Sequence, residues 1–264
     1  MMTEEVKASA VQLYESCVFD RLLGETLRPG GLKLTARLAE VAGISENDTV
    51  LDIACGKGTT AFFLAREYGC RVIGIDLSEK MISSCRSRAE EENLVDRVSF
   101  LLGDGESLPF RDAIFDAVIS ECSFSLLPDK EIAARGIRRV LKSGGRLVMT
   151  DIILRGEVSK ELQSEITFAC CLAGACRVEE YINLFERAGF QSSYTEDHSH
   201  ELGRVAYQLG VTFGSMTSFL GRLPAGPCRR KGTAADSVPA TIESYQEFLR
   251  QGRPGYALLV MTGV

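Results

Sequence analysis

The chain has 264 residues, no tryptophan, only two histidines and seven prolines. It contains no His-Glu-x-x-His and no pair of Cys-x-x-Cys motifs, which sets aside a zinc site of the usual structural kind. No stretch approaches the ~18 uninterrupted apolar residues of a membrane-spanning helix. The opening Met1-Met2-Thr3-Glu4-Glu5-Val6-Lys7 lacks the apolar stretch of a secretory signal. Excess basic charge is missing too. With 30 Lys and Arg against 36 Asp and Glu, the net charge is −6, and there is no electrostatic footprint for duplex nucleic acid or an anionic membrane. The small basic cluster Arg229-Arg230-Lys231 reads as a solvated loop.

What is present is an ordinary globular composition, 45% hydrophobic and 25% charged, in a chain long enough for a full core. There are nine cysteines, at 17, 55, 70, 85, 122, 170, 171, 176 and 228. Their number is odd and their spacing is not that of a small disulfide scaffold. Without an export signal they read as reduced thiols, and the expected compartment is the cytoplasm.

Short apolar runs alternate with helical patterns through the middle of the chain. The runs are 50–54, 72–75, 98–102, 115–119, and 147–149 with 152–154. Continuous rather than alternating runs suit strands covered on both faces. Helices are expected at 59–68, at 78–92 behind the N-cap residue Ser78, and at 129–141, with Gly144-Gly145 as the break before the next strand. Residues 1–44 read as helices interrupted by Leu27-Arg28-Pro29-Gly30-Gly31. Further helices are expected at 157–172 and 178–188, and strands at 190–196 and 255–263. Alternation of this kind implies an open, mostly parallel sheet.

The sharpest local signal is Leu51-Asp52-Ile53-Ala54-Cys55-Gly56-Lys57-Gly58-Thr59-Thr60. A strand ends, small residues recur at 54, 56 and 58, and a helix begins. Such a turn lets backbone N–H groups approach a ligand, and the helix start favours a carboxylate. Asp76, twenty residues after Gly56 at the end of the second strand, can accept hydrogen bonds from both hydroxyls of a ribose. Asp52, inside the first strand, can hold an ammonium group. The acidic Gly103-Asp104-Gly105-Glu106 follows the third strand, where a polar side chain can bond the amino group of adenine. Gly56-x-Gly58-x-x-Ala61 also satisfies the dinucleotide pattern, so an NAD protein or a non-catalytic nucleotide binder stays open on these residues alone.

In order, Asp52…Gly56-x-Gly58, Asp76-Leu77-Ser78…Met81, Gly103–Phe110 and Val140–Leu147 resemble the motifs of class I S-adenosylmethionine-dependent methyltransferases. The resemblance covers residues 48–154. It implies an α/β Rossmann-like fold with a seven-stranded, mostly parallel sheet whose last strand is antiparallel. It further implies a single domain over 1–264: an N-terminal helical lid (1–45), a cofactor-binding core (46–154), and acceptor-side helices with the last two strands (155–264). In these roles Asp52, Ala54, Gly56 and Gly58 line the methionine moiety, Asp76 binds the ribose, and Leu77 and Met81 flank the adenine. Gly103, Asp104, Gly105 and Glu106 then lie at the adenine edge. Ala54 stands where glycine is more usual. Tyr14 and Phe19 are candidate lid aromatics.

The acceptor is expected beyond the carboxyl ends of the strands. The fourth strand ends Ser120-Glu121-Cys122-Ser123-Phe124 and lacks the Asn-Pro-Pro-Tyr of nucleic-acid amino methyltransferases, which points to a small molecule. Residues 168–176, Phe-Ala-Cys-Cys-Leu-Ala-Gly-Ala-Cys, with the following Glu179-Glu180-Tyr181 and Ala188-Gly189-Phe190, resemble part of the arsenite methyltransferases. That likeness implies Cys171 as a metalloid-binding thiol, and soft thiolates suit a soft trivalent metalloid. The thiol those enzymes carry after the glycine motif is replaced here by Ala61, and Cys228 lies only roughly where their later one does. Glu121, Cys122, Cys171 and His198 are the acceptor-side candidates, Glu121 being a cofactor-side candidate as well. An oxygen or carbon acceptor of quinone type is the alternative. No resident metal is expected.

Overall fold

A computed structural model describes residues 2–159, 171–172, 174–215, 218–219 and 246–264. Three helices open the chain: α1 (Met2–Tyr14), α2 (Cys17–Leu23) and α3 (Gly31–Ala42). The alternating part follows as β1 (Thr49–Ile53), α4 (Thr59–Glu67), β2 (Arg71–Asp76), α5 (Glu79–Glu91), β3 (Val98–Leu102), β4 (Phe115–Glu121), α6 (Lys130–Val140) and β5 (Leu141–Leu154). Then come α7 (Val178–Arg187), β6 (Phe190–Asp197), α8 (His200–Phe213) and β7 (Pro254–Gly263), with a further helical stretch at 246–252.

One seven-stranded sheet results, in the order β3-β2-β1-β4-β5-β7-β6. Strands β1 to β5 pair in parallel, and β7 runs antiparallel to both β5 and β6. This is the expected architecture, last strand included. The sheet is covered on both faces, which explains why its strands read as continuous apolar runs. Tyr256, Leu258 and Val260 of β7 pack with α3, α4 and α5, while Ala257, Leu259 and Met261 pack with α6 and α7. A third, smaller cluster joins the lid to α8 through Leu13, Phe19, Leu22 and Phe213.

The helix starts follow local chemistry. The Ser78 hydroxyl accepts from the Met81 N–H at 3.0 Å, and Asp129 caps α6 by accepting from the Ile132 N–H at 2.9 Å. Two boundaries differ from expectation. Leu141 already pairs with Phe115, residues 142–145 bulge out, and pairing resumes at Ala117 with Arg146. Backbone pairing to β4 outweighs the glycine break. Residues 157–159 and 171–172 are not helical, and the rest of the helix expected at 157–172 lies outside the described residues, as do Cys170 and Cys228.

Candidate functional site

The strand order reverses between β1 and β4, and a cleft opens beyond their carboxyl ends, where open α/β sheets bind ligands. The cavity with its mouth holds about 1050 Å³. Its floor is the β1–α4 turn. Ala54, Gly56 and Gly58 all have positive φ, at 55°, 52° and 70°. At Gly58 a side chain is also excluded by space, since a Cβ would sit 3.0 Å from the Cys85 sulfur and from the Phe100 ring. At Gly105 a Cβ would lie 2.9 Å from Ile53 Cγ2.

The acids of this floor are held differently. Asp76 accepts from the Gly56 N–H through Oδ2 and from the Ser78 N–H through Oδ1, both at 2.8 Å. Burial raises its pKa, and those N–H bonds oppose the rise. Asp52 lines the cavity at 3% exposure, yet its Oδ2 has no hydrogen-bond partner. Burial, then the neighbouring Glu121 charge, push its carboxyl well above the usual range, and Arg28 opposes them. An acceptor oxygen buried without a donor is costly, and a ligand ammonium would satisfy it.

Glu121, at the end of β4, is bound into an ion pair. Arg28 Nε donates to its Oε2 at 2.7 Å, with both side chains almost fully buried. Thr60 Oγ1 donates to Oε1 at 2.7 Å, and Arg28 also reaches the Thr26 carbonyl and the Thr60 hydroxyl, each at 2.9 Å. Two residues after Arg28, the chain enters α3 through Gly30 (φ 80°), where a Cβ would lie 2.7 Å from Leu34 Cβ. In the sequence, Leu27–Gly31 reads only as an interruption between helices, and Arg28 does not stand out. The available signal was an arginine beside Pro29-Gly30-Gly31, where the chain enters α3.

At the other side of Glu121 the chain turns through Cys122, at φ 55°, and Cys122 lines the cavity with Tyr14 of α1. Cys171, also at positive φ (58°), is buried behind them. Its thiol donates to the Cys122 carbonyl at 3.1 Å and lies 3.3 Å from the Tyr14 hydroxyl. A hydrogen bond to the Cys171 thiol, then burial, push the Cys122 thiol well up, so it rests as a neutral thiol. Tyr256 of β7 stands on the same side and donates its hydroxyl to Thr150 Oγ1 at 3.1 Å.

Leu77, Met81, Gly103 and Gly105 line the cavity. Asp104 and Glu106 instead turn to Lys7 of α1, whose ammonium bridges them. His198 is not among the residues lining the cavity. It lies past the end of β6, with its N–H donating to the Tyr256 carbonyl at 2.7 Å and its ring 3.3 Å from Glu196. Phe19 packs into the lid cluster against Tyr14, with ring centroids 4.9 Å apart. Cysteines 55, 70, 85, 122, 171 and 176 are free thiols, and no cluster suited to a metal ion occurs among the described residues. No described helix is long and apolar enough to cross a membrane.

A methyltransferase domain family matches residues 44–189, more than half of the chain. The chain belongs to this family of S-adenosylmethionine-dependent methyltransferases. Among its relatives is the methyltransferase GfsG of Streptomyces halstedii, 34% identical over 180 residues, 67% of this chain and 65% of that protein. The arsenite methyltransferase of Halobacterium salinarum is 32% identical over 57% of this chain and 39% of its own length. The chain thus spans under two thirds of the length of either relative. Its fold is shared by phosphoethanolamine N-methyltransferase 2 of Haemonchus contortus, solved with S-adenosyl-L-methionine. The TM-score is 0.74 at 18% identity, over 98% of this chain and 60% of that one.

Proposed function

We propose that this methyltransferase moves the sulfonium methyl of S-adenosylmethionine to a small molecule held at the Tyr14–Cys122–Cys171 end of the cavity, and that the acceptor is a thiol-bound metalloid such as arsenite. The cofactor supplies an electrophilic methyl on positively charged sulfur. Asp52 gives its unpartnered oxygen to the methionine ammonium, Asp76 takes the ribose hydroxyls, and Leu77 and Met81 flank the adenine. The acidic floor suits a cationic ligand, and the glycine turn allows close approach of the backbone.

The observation that carries the acceptor reading is that the Cys171 thiol reaches the backbone carbonyl of Cys122, 49 residues away in sequence, and neighbours the Cys122 thiol beside the carboxyl end of β4. Soft thiolates hold a soft trivalent centre, and both thiols lose their protons as it binds. The metalloid's lone pair forms the new bond to carbon as the carbon–sulfur bond breaks and its electron pair neutralises the sulfonium. Held in line, such a displacement draws much of its acceleration from proximity. The net charge of −6 and the absence of Asn-Pro-Pro-Tyr favour a small acceptor over nucleic acid. A second reading, an oxygen or carbon acceptor on an apolar metabolite of quinone type, is favoured by the apolar Val11, Leu126 and Leu127 in the cavity wall.

Calorimetry tests the cofactor. S-adenosylmethionine and S-adenosylhomocysteine bind, NAD does not, and Asp76→Ala loses binding. Intact binding in Asp76→Ala overturns the assignment. For the acceptor, methylated arsenic forms from arsenite with glutathione and is lost in Cys171→Ser. No turnover of arsenite sinks the metalloid reading and leaves the second one standing.

A further inference from the structure

Lys7, Ala10, Val11 and Tyr14 all line the cavity, and their 3–1–3 spacing places them on one face of α1. That face forms one wall of the cleft, so α1 helps to close it over a bound cofactor. Side-chain ties hold this face down. Tyr14 contacts the Cys171 thiol, and the carboxylate of Glu15, just past the helix end, accepts from the Ser78 hydroxyl at 2.6 Å. Both lie at the α2 end of the helix. Toward the other end the tie is Lys7, whose ammonium is 2.6 Å from Asp104 Oδ2 and also contacts Glu106 Oε2.

The partner loop is braced. Asp104 Oδ1 accepts from the Glu106 N–H at 2.9 Å, and Glu106 Oε1 accepts from the Asp129 N–H at the start of α6. Lys7 therefore grips a rigid part of the core rather than a loose loop. Its side chain is 11% exposed, against 26% for Asp104 and 11% for Glu106, so solvent and salt still reach the pair.

We propose that Lys7 is an ionic latch: by bridging Asp104 and Glu106 it holds α1 over the cavity and sets the rate at which cofactor and demethylated product exchange. This rests on placing the adenosine under α1, as above. It makes Lys7 a positioning residue, acting through the lid on a step that limits turnover in many enzymes with closing elements. The sequence marks Lys7 only as one lysine in an acidic stretch.

The test is stopped-flow displacement of S-adenosylhomocysteine from the full chain at low and high salt. In the unaltered protein, dissociation speeds up as salt rises. Lys7→Met, which keeps the apolar stem, speeds dissociation about tenfold at low salt and loses the salt dependence, while Lys7→Arg stays near the starting rate. A Lys7→Met rate within twofold of the original, with the salt dependence intact, overturns the latch. Salt-independent dissociation of the unaltered protein overturns it without any variant. Intact binding in Asp76→Ala overturns the cofactor placement instead, whatever Lys7 does.

Discussion

Replacing Arg28 by methionine keeps the apolar stem and removes the guanidinium. Glu121 would then remain 3% exposed with its charge uncompensated, and with Asp52 beside it. The Thr35 and Thr60 hydroxyls would still donate to Glu121, but hydroxyl dipoles do not replace a cation at 2.7 Å. Stripping one member from a buried ion pair costs about 3–5 kcal/mol. Against a typical total of about 5–15 kcal/mol, that is a large share. The loss also frees the Thr26–Gly31 segment that leads from the lid into α3, because Arg28 holds the Thr26 carbonyl. Equilibrium urea unfolding at neutral pH measures the effect, with Glu121→Gln and the double variant completing a cycle. If the pair acts as a unit, the double variant loses at least about 2 kcal/mol less than the two single losses combined. A single loss under about 1 kcal/mol, or strict additivity, refutes the reasoning and makes the pair a spectator.

Two further outcomes follow from backbone strain and from a buried acid. Ala54 adopts φ 55°, a region costing an L-residue about 1–2 kcal/mol, while glycine adds about 0.5–1 kcal/mol of chain entropy to the unfolded state. Ala54→Gly therefore gains between about 0 and 1.5 kcal/mol in thermal unfolding, and a loss of stability contradicts the strain. Asp151, fully buried and accepting from Ser125, titrates at about 6 rather than the ordinary 3.8, because burial outweighs its hydrogen bonds. Its folded pKa is raised, so its favourable contribution is complete below about pH 4 and is lost as the pH climbs through 6. At 1.36 kcal/mol per pH unit the loss is about 3 kcal/mol. Asp151→Asn flattens stability between pH 4 and 6, and equal slopes in both proteins contradict the assignment.

Much of the fold was legible along the chain because the central strands are apolar runs, each bounded by local turn or capping signals. The five runs from Val50 to Leu154 and the two late ones correspond to β1–β7, and Ser78 and Asp129 sit at helix starts for local hydrogen-bonding reasons. Where a boundary shifted, at Leu141, a pairing partner 26 residues away in β4 outweighed the local glycines. The residues proposed to hold the cofactor are legible because Asp52, Gly56, Gly58 and Asp76 are set by the ends of adjacent strands.

The sequence by itself determined the order of the elements, the glycine turn, the acid at each strand end and hence the family, because these depend on near neighbours and strand ends. Only the tertiary structure decided which distant groups meet. It bound Arg28 to Glu121 across 93 residues, carried Lys7 to Asp104 across 97, and joined Cys171 to Cys122 and to Tyr14 while leaving His198 outside the cavity. Those pairings depend on how the lid and the late segments fold back over the sheet. A side chain's charge or thiol is visible in the sequence, but its partner is chosen by packing that buries both.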